Sequence, residues 1–93
     1  MDPDALTAAE LREEIDRLNA RLLELLNARA RQVVRLGELA RAGAAPQGRD
    51  PEREAEMLAR LRALNAGPFP DEAVEAIFRA VFQASLALKL RAD

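Results

Sequence analysis

The residues able to do chemistry in this sequence are cationic, acidic or hydroxylic, and they stand where helical apolar stripes are broken. Arg29 falls on the seam of Leu22, Leu25, Leu26, Val33 and Leu36, at a place where the spacing asks for a leucine. A buried guanidinium without a partner is costly, so Arg29 needs one. On charge pattern alone an ion pair across a subunit boundary with Glu24, Glu38 or another acid is the simpler answer, and an anionic ligand is the other. Ser85 and Lys89 interrupt a second stripe, four and eight residues beyond Val81 on the face that also carries Ile77 and Phe78. Their simpler explanations are a hydroxyl bonded to its own helix backbone and a lysine snorkelling near a helix end. Arg53 and Glu54 come one turn before Met57 and Leu58 and are expected to point toward the same interior, whereas Asp50 is accounted for as a helix cap before Pro51. Taken together, cationic and hydrogen-bonding groups converging inside a small helical bundle suit a compact polyanion, because arginine grips carboxylates bidentately.

The composition narrows the chemistry further. The chain of 93 residues contains neither Cys nor His, so zinc sites, thiol nucleophiles and histidine-based triads are excluded. The 16 Asp and Glu outnumber the 14 Lys and Arg, and without Tyr or Trp there is little to stack on bases, so a nucleic-acid partner is not expected. Met1-Asp-Pro-Asp4 has neither a basic nor an apolar leader region, and no run approaches the ~18 apolar residues of a membrane span; a cytoplasmic protein is expected.

Three helices must position these residues, giving an all-α fold in one domain, 1–93. Thr7 and Glu10 form a capping box, and Leu11, Ile15, Leu18, Leu22, Leu25, Leu26, Val33 and Leu36 recur at helical steps, so the first helix is expected over about 8–42, where Gly43 to Arg49 supplies breakers. Asp50-Pro51 starts the second, about 51–65, built on Met57, Leu58, Leu61 and Leu64 and stopped by Asn65-Ala-Gly-Pro-Phe-Pro70. Asp71 is expected to cap the third, about 72–90, which carries Val74, Ile77, Phe78, Val81, Phe82 and Leu88; its pattern still looks helical at Leu90, as in a piece excised from a longer fusion protein. A first helix of about 35 residues is about 50 Å long, more than two short helices can cover. Its seam is expected to be buried against a second copy, in an obligate, intertwined homodimer with antiparallel long helices.

Four strings, Leu11-Arg-Glu-Glu-Ile15, Leu25-Leu-Asn-Ala-Arg29, Arg49-Asp-Pro-Glu-Arg-Glu54 and Ile77-Phe-Arg-Ala-Val-Phe-Gln-Ala-Ser85, resemble in order and spacing the three-helix chorismate mutases of the all-helical class. The likeness is greatest to versions fused to the N-terminus of 3-deoxy-D-arabino-heptulosonate 7-phosphate (DAHP) synthase, which share Asp-Pro-x-Arg-Glu, here Asp50 to Glu54, and the turn Gly67-Pro68-Phe69. The resemblance implies an isomerase that rearranges chorismate to prephenate without metal or organic cofactor, and it implies roles by position. Arg29, and Arg12 from the other protomer, match the arginines that hold the two substrate carboxylates. The 17-residue separation of Arg12 and Arg29 agrees with a split between chains, since it turns them about 100° apart around one helix. Arg53 and Asp50 match positions at the carboxylate and hydroxyl region, Glu54 the acceptor for the ring hydroxyl, and Ser85 a hydroxyl near a carboxylate.

The chain departs from the family pattern in two places. The lysine that contacts the ether oxygen would fall on Ala40, with Arg41 the nearest cation, and the other ether-oxygen position, usually Gln or Glu, holds Lys89. Either Lys89 or Arg41 then supplies the missing cation. The rival expectation is a regulatory domain that binds chorismate or prephenate as a feedback signal for an attached DAHP synthase. A purely structural dimerisation module, the third possibility, would pair Arg29 and Lys89 with acids and leave no cavity.

Overall fold

The computed structural model describes residues 5–45 and 49–89. Within these there are three helices and no strand: α1 (Ala8–Arg41), α2 (Pro51–Leu64) and α3 (Asp71–Lys89). The all-α expectation holds, and apart from the end of the third helix the helix ends fall within one residue of those read from the sequence. The proposed end of the third helix at Leu90, and the loop positions 46–48, lie outside the described residues. The chain divides into two units, Met1–Arg31 and Gln32–Asp93.

In the first unit the capping box forms in both directions: the Glu10 amide donates to Thr7 Oγ1 at 3.1 Å, and the Thr7 amide to Glu10 Oε1 at 3.3 Å. The apolar seam that follows is exposed among the described residues. Leu11, Ile15, Leu18, Leu22 and Leu25 are each about half exposed, up to 59% at Leu18.

In the second unit local chemistry sets the helix ends. Gly43 takes φ +79, and around it the amides of Gly43 and Ala44 donate to the carbonyls of Ala40 (3.1 Å) and Leu39 (2.8 Å), a Schellman pair that turns the chain out of α1. Asp50 caps α2 by accepting the Arg53 amide at 3.1 Å, with Pro51 at the first helical position where no amide is needed. The expectation for Asp71 is corrected: it is the first residue of α3, whose first acceptor is the Pro70 carbonyl. Its carboxylate instead accepts from the Asn65 side-chain amide at 2.9 Å, which also donates to the Phe69 carbonyl and ties off the α2–α3 turn. That turn includes a cis Gly67–Pro68 bond.

Helices α2 and α3 pack on one another, with Leu58 and Phe82 buried and Phe78 tilted against Phe82 at a centroid separation of 6.4 Å. An Arg62–Glu75 ion pair links the two helices at their surface. The last turns of α1 contribute Gly37 and Ala40 to the buried side. A Cβ at Gly37 would lie 3.2 Å from the Lys89 carbonyl oxygen and 3.4 Å from its Cα, both backbone atoms that cannot swing aside. Gly37→Val is therefore expected to cost about 1–3 kcal/mol by overpacking. Urea denaturation at fixed protein concentration measures this, and a midpoint equal to that of the wild type would mean that the end of α3 is not seated on Gly37. No helix among the described residues is long and apolar enough to cross a membrane.

Candidate functional site

The second unit contains an open groove of about 380 Å³ lined by Arg49, Glu54, Arg79, Phe82, Gln83 and Leu86. Four of these, Arg79, Phe82, Gln83 and Leu86, are spaced i, i+3, i+4 and i+7 and so form one face of α3. Phe82 and Leu86 are the apolar part of this lining, and Arg49, Glu54, Arg79 and Gln83 the polar part. Helix α2 presents Glu54 to this face because Glu54 lies four residues before the buried Leu58, on the same side of the helix. The Glu54 side chain is 18% exposed, and Arg49 reaches its carboxylate through Nη2 and Nε, each 3.3 Å from Oε1.

Among the residues expected from the sequence, the structure separates those that turn inward from those that do not. Of the neighbours Arg53 and Glu54, only Glu54 faces the interior. Arg53 is 63% exposed, with Nη1 4.0 Å from Glu56. The expectation that both face one interior is corrected by the folded chain, in which the two side chains leave the helix about 100° apart and only one turns inward. Asp50 spends one carboxylate oxygen on its cap, as its position before Pro51 suggested. Ser85 donates to the Val81 carbonyl at 2.7 Å, the back-bond to its own helix that is open to any helical serine. Lys89 is half-buried, and its backbone and Cγ lie over Gly37, one turn from Ala40 on α1. Ala40 itself is only 3% exposed, so position 40 faces inward, whereas Arg41 is exposed at the end of α1. In the first unit Arg12 is exposed and Arg29 half-buried, while Glu24 accepts from Arg21 at 3.3 Å.

Arg49, Arg79 and Gln83 were not singled out from the sequence. For the α3 pair the signal was available: Arg79 and Gln83 flank Phe82 at helical spacing, on the helix that further along reaches Lys89. Arg49 carried no such signal, since it precedes the cap of α2 and belongs to no helical period.

A family model described as chorismate mutase type II matches residues 11–90. Among solved structures, form II of chorismate mutase from Thermus thermophilus superposes with a TM-score of 0.84 at 48% identity, covering 89% of this chain and 93% of that one. Form I of the same enzyme superposes at 0.77, with 49% identity over 82% of this chain and 94% of that one. The bifunctional chorismate mutase/prephenate dehydratase of Neisseria gonorrhoeae is 44% identical over 78 residues, and that of Aquifex aeolicus 40% over 84. These matches take in 84% and 86% of this chain but only 21% and 23% of those larger proteins. Fold and likeness together define the class, an all-helical domain of three helices. The chain belongs to the chorismate mutase type II family.

Proposed function

We propose that this domain converts chorismate to prephenate by holding the substrate in its compact conformer and stabilising charge on the ether oxygen of the breaking bond. What supports this most is the 48% identity over almost the full length of a solved chorismate mutase. The rearrangement is pericyclic and intramolecular, so no proton has to move and no covalent intermediate forms. A chain without His or Cys suffices for it. The barrier falls through two effects, orientation of the reacting ends and electrostatic complementarity to the developing oxyanion.

In this reading Arg29, with Arg12 of the partner subunit, binds the substrate carboxylates, helped by Arg53 once its side chain turns from Glu56 and by Ser85 once its hydroxyl turns from Val81. Glu54 and Asp50 receive the ring hydroxyl. Lys89 is assigned the ether oxygen in preference to Arg41. The buried side of α1 ends in Ala40, and Lys89 lies beside that side at Gly37, whereas Arg41 is exposed. A homodimer belongs to the same proposal. Isolated helices are marginal in water, and the half-exposed leucines of the first unit need a cover that a second copy of α1 supplies. Sedimentation should then show a dimer throughout the micromolar range; a folded monomer there removes the shared site.

Loss of chorismate absorbance with purified protein is the direct test. A second reading, a feedback domain that binds chorismate or prephenate with little turnover, is favoured by one observation: an inert Ala40 where the family keeps a lysine. Tight binding without turnover would select it, and neither binding nor turnover would end both. A DAHP synthase partner rests on Asp50 to Glu54 and on the Gly67-Pro68-Phe69 turn; the relatives named above carry prephenate dehydratase instead. Attachment to either enzyme, and a cytoplasmic location, belong to this proposal and are tested by the chain's size and fractionation in its native cell.

A further inference from the structure

We propose that Arg49 is a positioning residue for Glu54, holding that carboxylate so that one of its oxygens is left for the substrate hydroxyl; this rests on the reading of Glu54 as the hydroxyl acceptor. Arg49 engages Glu54 unevenly. Both Nε and Nη2 lie 3.3 Å from Oε1, while among the described residues Oε2 accepts from Nε alone, at 3.4 Å. A carboxylate offers about four lone-pair sites, so Oε2 stays open to a hydroxyl while Oε1 is held.

The two side chains also differ in setting. Glu54 is 18% exposed and Arg49 60%. The carboxylate is thus fixed at the groove wall, and the guanidinium closes over it from the solvent side.

The charges give Arg49 a second effect through the same contact. A bare carboxylate beside a dicarboxylate ligand is a like-charge juxtaposition, which electrostatic complementarity disfavours. With Arg49 in place the pair is neutral toward the ligand. Removing Arg49 should therefore weaken substrate binding more than the chemical step, because neither the hydroxyl nor Glu54 carries the charge that develops on the ether oxygen.

The test is steady-state chorismate turnover by the whole protein and its Arg49→Ala, Arg49→Lys, Glu54→Ala and double Arg49→Ala/Glu54→Ala variants, with helical content checked by circular dichroism. Arg49→Ala is expected to raise KM about tenfold, which is ~1.4 kcal/mol, with kcat within about twofold. Arg49→Lys should recover part of the loss, since the charge returns without the planar fork. In the Glu54→Ala background the Arg49 effect on KM should vanish. An unchanged KM in Arg49→Ala overturns the inference, as does a fall confined to kcat. An Arg49 effect that persists undiminished without Glu54 also overturns it, by showing direct action on the substrate. Turnover by the wild type alongside any of these leaves the proposed function standing, whereas a wild type that neither binds nor converts chorismate removes both.

Discussion

Lys89→Ala is expected to lower kcat by about 100- to 1000-fold, the usual loss when one donor to a developing oxyanion is removed, while melting within a few degrees of the wild type. The size follows from where the charge forms. In the ground state the ether oxygen is close to neutral, and it becomes an oxyanion only as the C–O bond breaks. An ammonium there acts on the transition state far more than on the bound substrate, so kcat falls and KM moves little. Lys89→Gln should keep part of the activity, because an amide still donates a hydrogen bond. Lys89→Glu should work only toward acidic pH, since a carboxylic acid donates only while protonated. Arg41→Ala, at an exposed helix end, is expected to change kcat by less than about threefold. If Arg41→Ala abolishes turnover and Lys89→Ala does not, the cation comes from α1 and the assignment to Lys89 is wrong.

Arg29→Ala should reduce kcat/KM by about 30-fold or more, since truncating one partner of a desolvated charge pair costs about 2–5 kcal/mol. Isothermal titration with prephenate should show the loss as missing affinity, and the dimer should stay folded. If the variant unfolds, and its refolded fraction binds as the wild type does, Arg29 is a structural ion-pair residue. Arg12→Ala should fail in the same way for a different reason, because its guanidinium is assigned to the site of the partner subunit. Mixing the two inactive variants distinguishes the cases. Half of the dimers formed at random are heterodimers with one intact site of two, so roughly a quarter of wild-type turnover should return. No recovery, with heterodimers verified, would rule out a site shared between chains.

The sequence determined most of the helical frame by itself, because helix ends are decided locally. Thr7 with Glu10, Gly43, Asp50 before Pro51, and Asn65 at the close of α2 each act on backbone groups a few residues away. The one error at an end, Asp71, arose where a second local partner competed: Asn65 reaches the carboxylate across the turn, so Asp71 is spent on closing the loop and not on capping.

Direction and partnership were settled only by tertiary structure. Periodicity names the stripe on which a residue lies, but arginine and lysine stems are long enough to turn toward either edge of it. Thus Arg53 points to solvent beside Glu56, Glu54 turns inward beneath Arg49, and the hydroxyl of Ser85 folds back onto Val81. The Arg49–Glu54 contact joins the lead-in to α2 with its first turn, and the groove it borders exists only because α2 and α3 pack there. No repeat in the sequence encodes either, since each depends on atoms brought within a few ångströms by the folded chain.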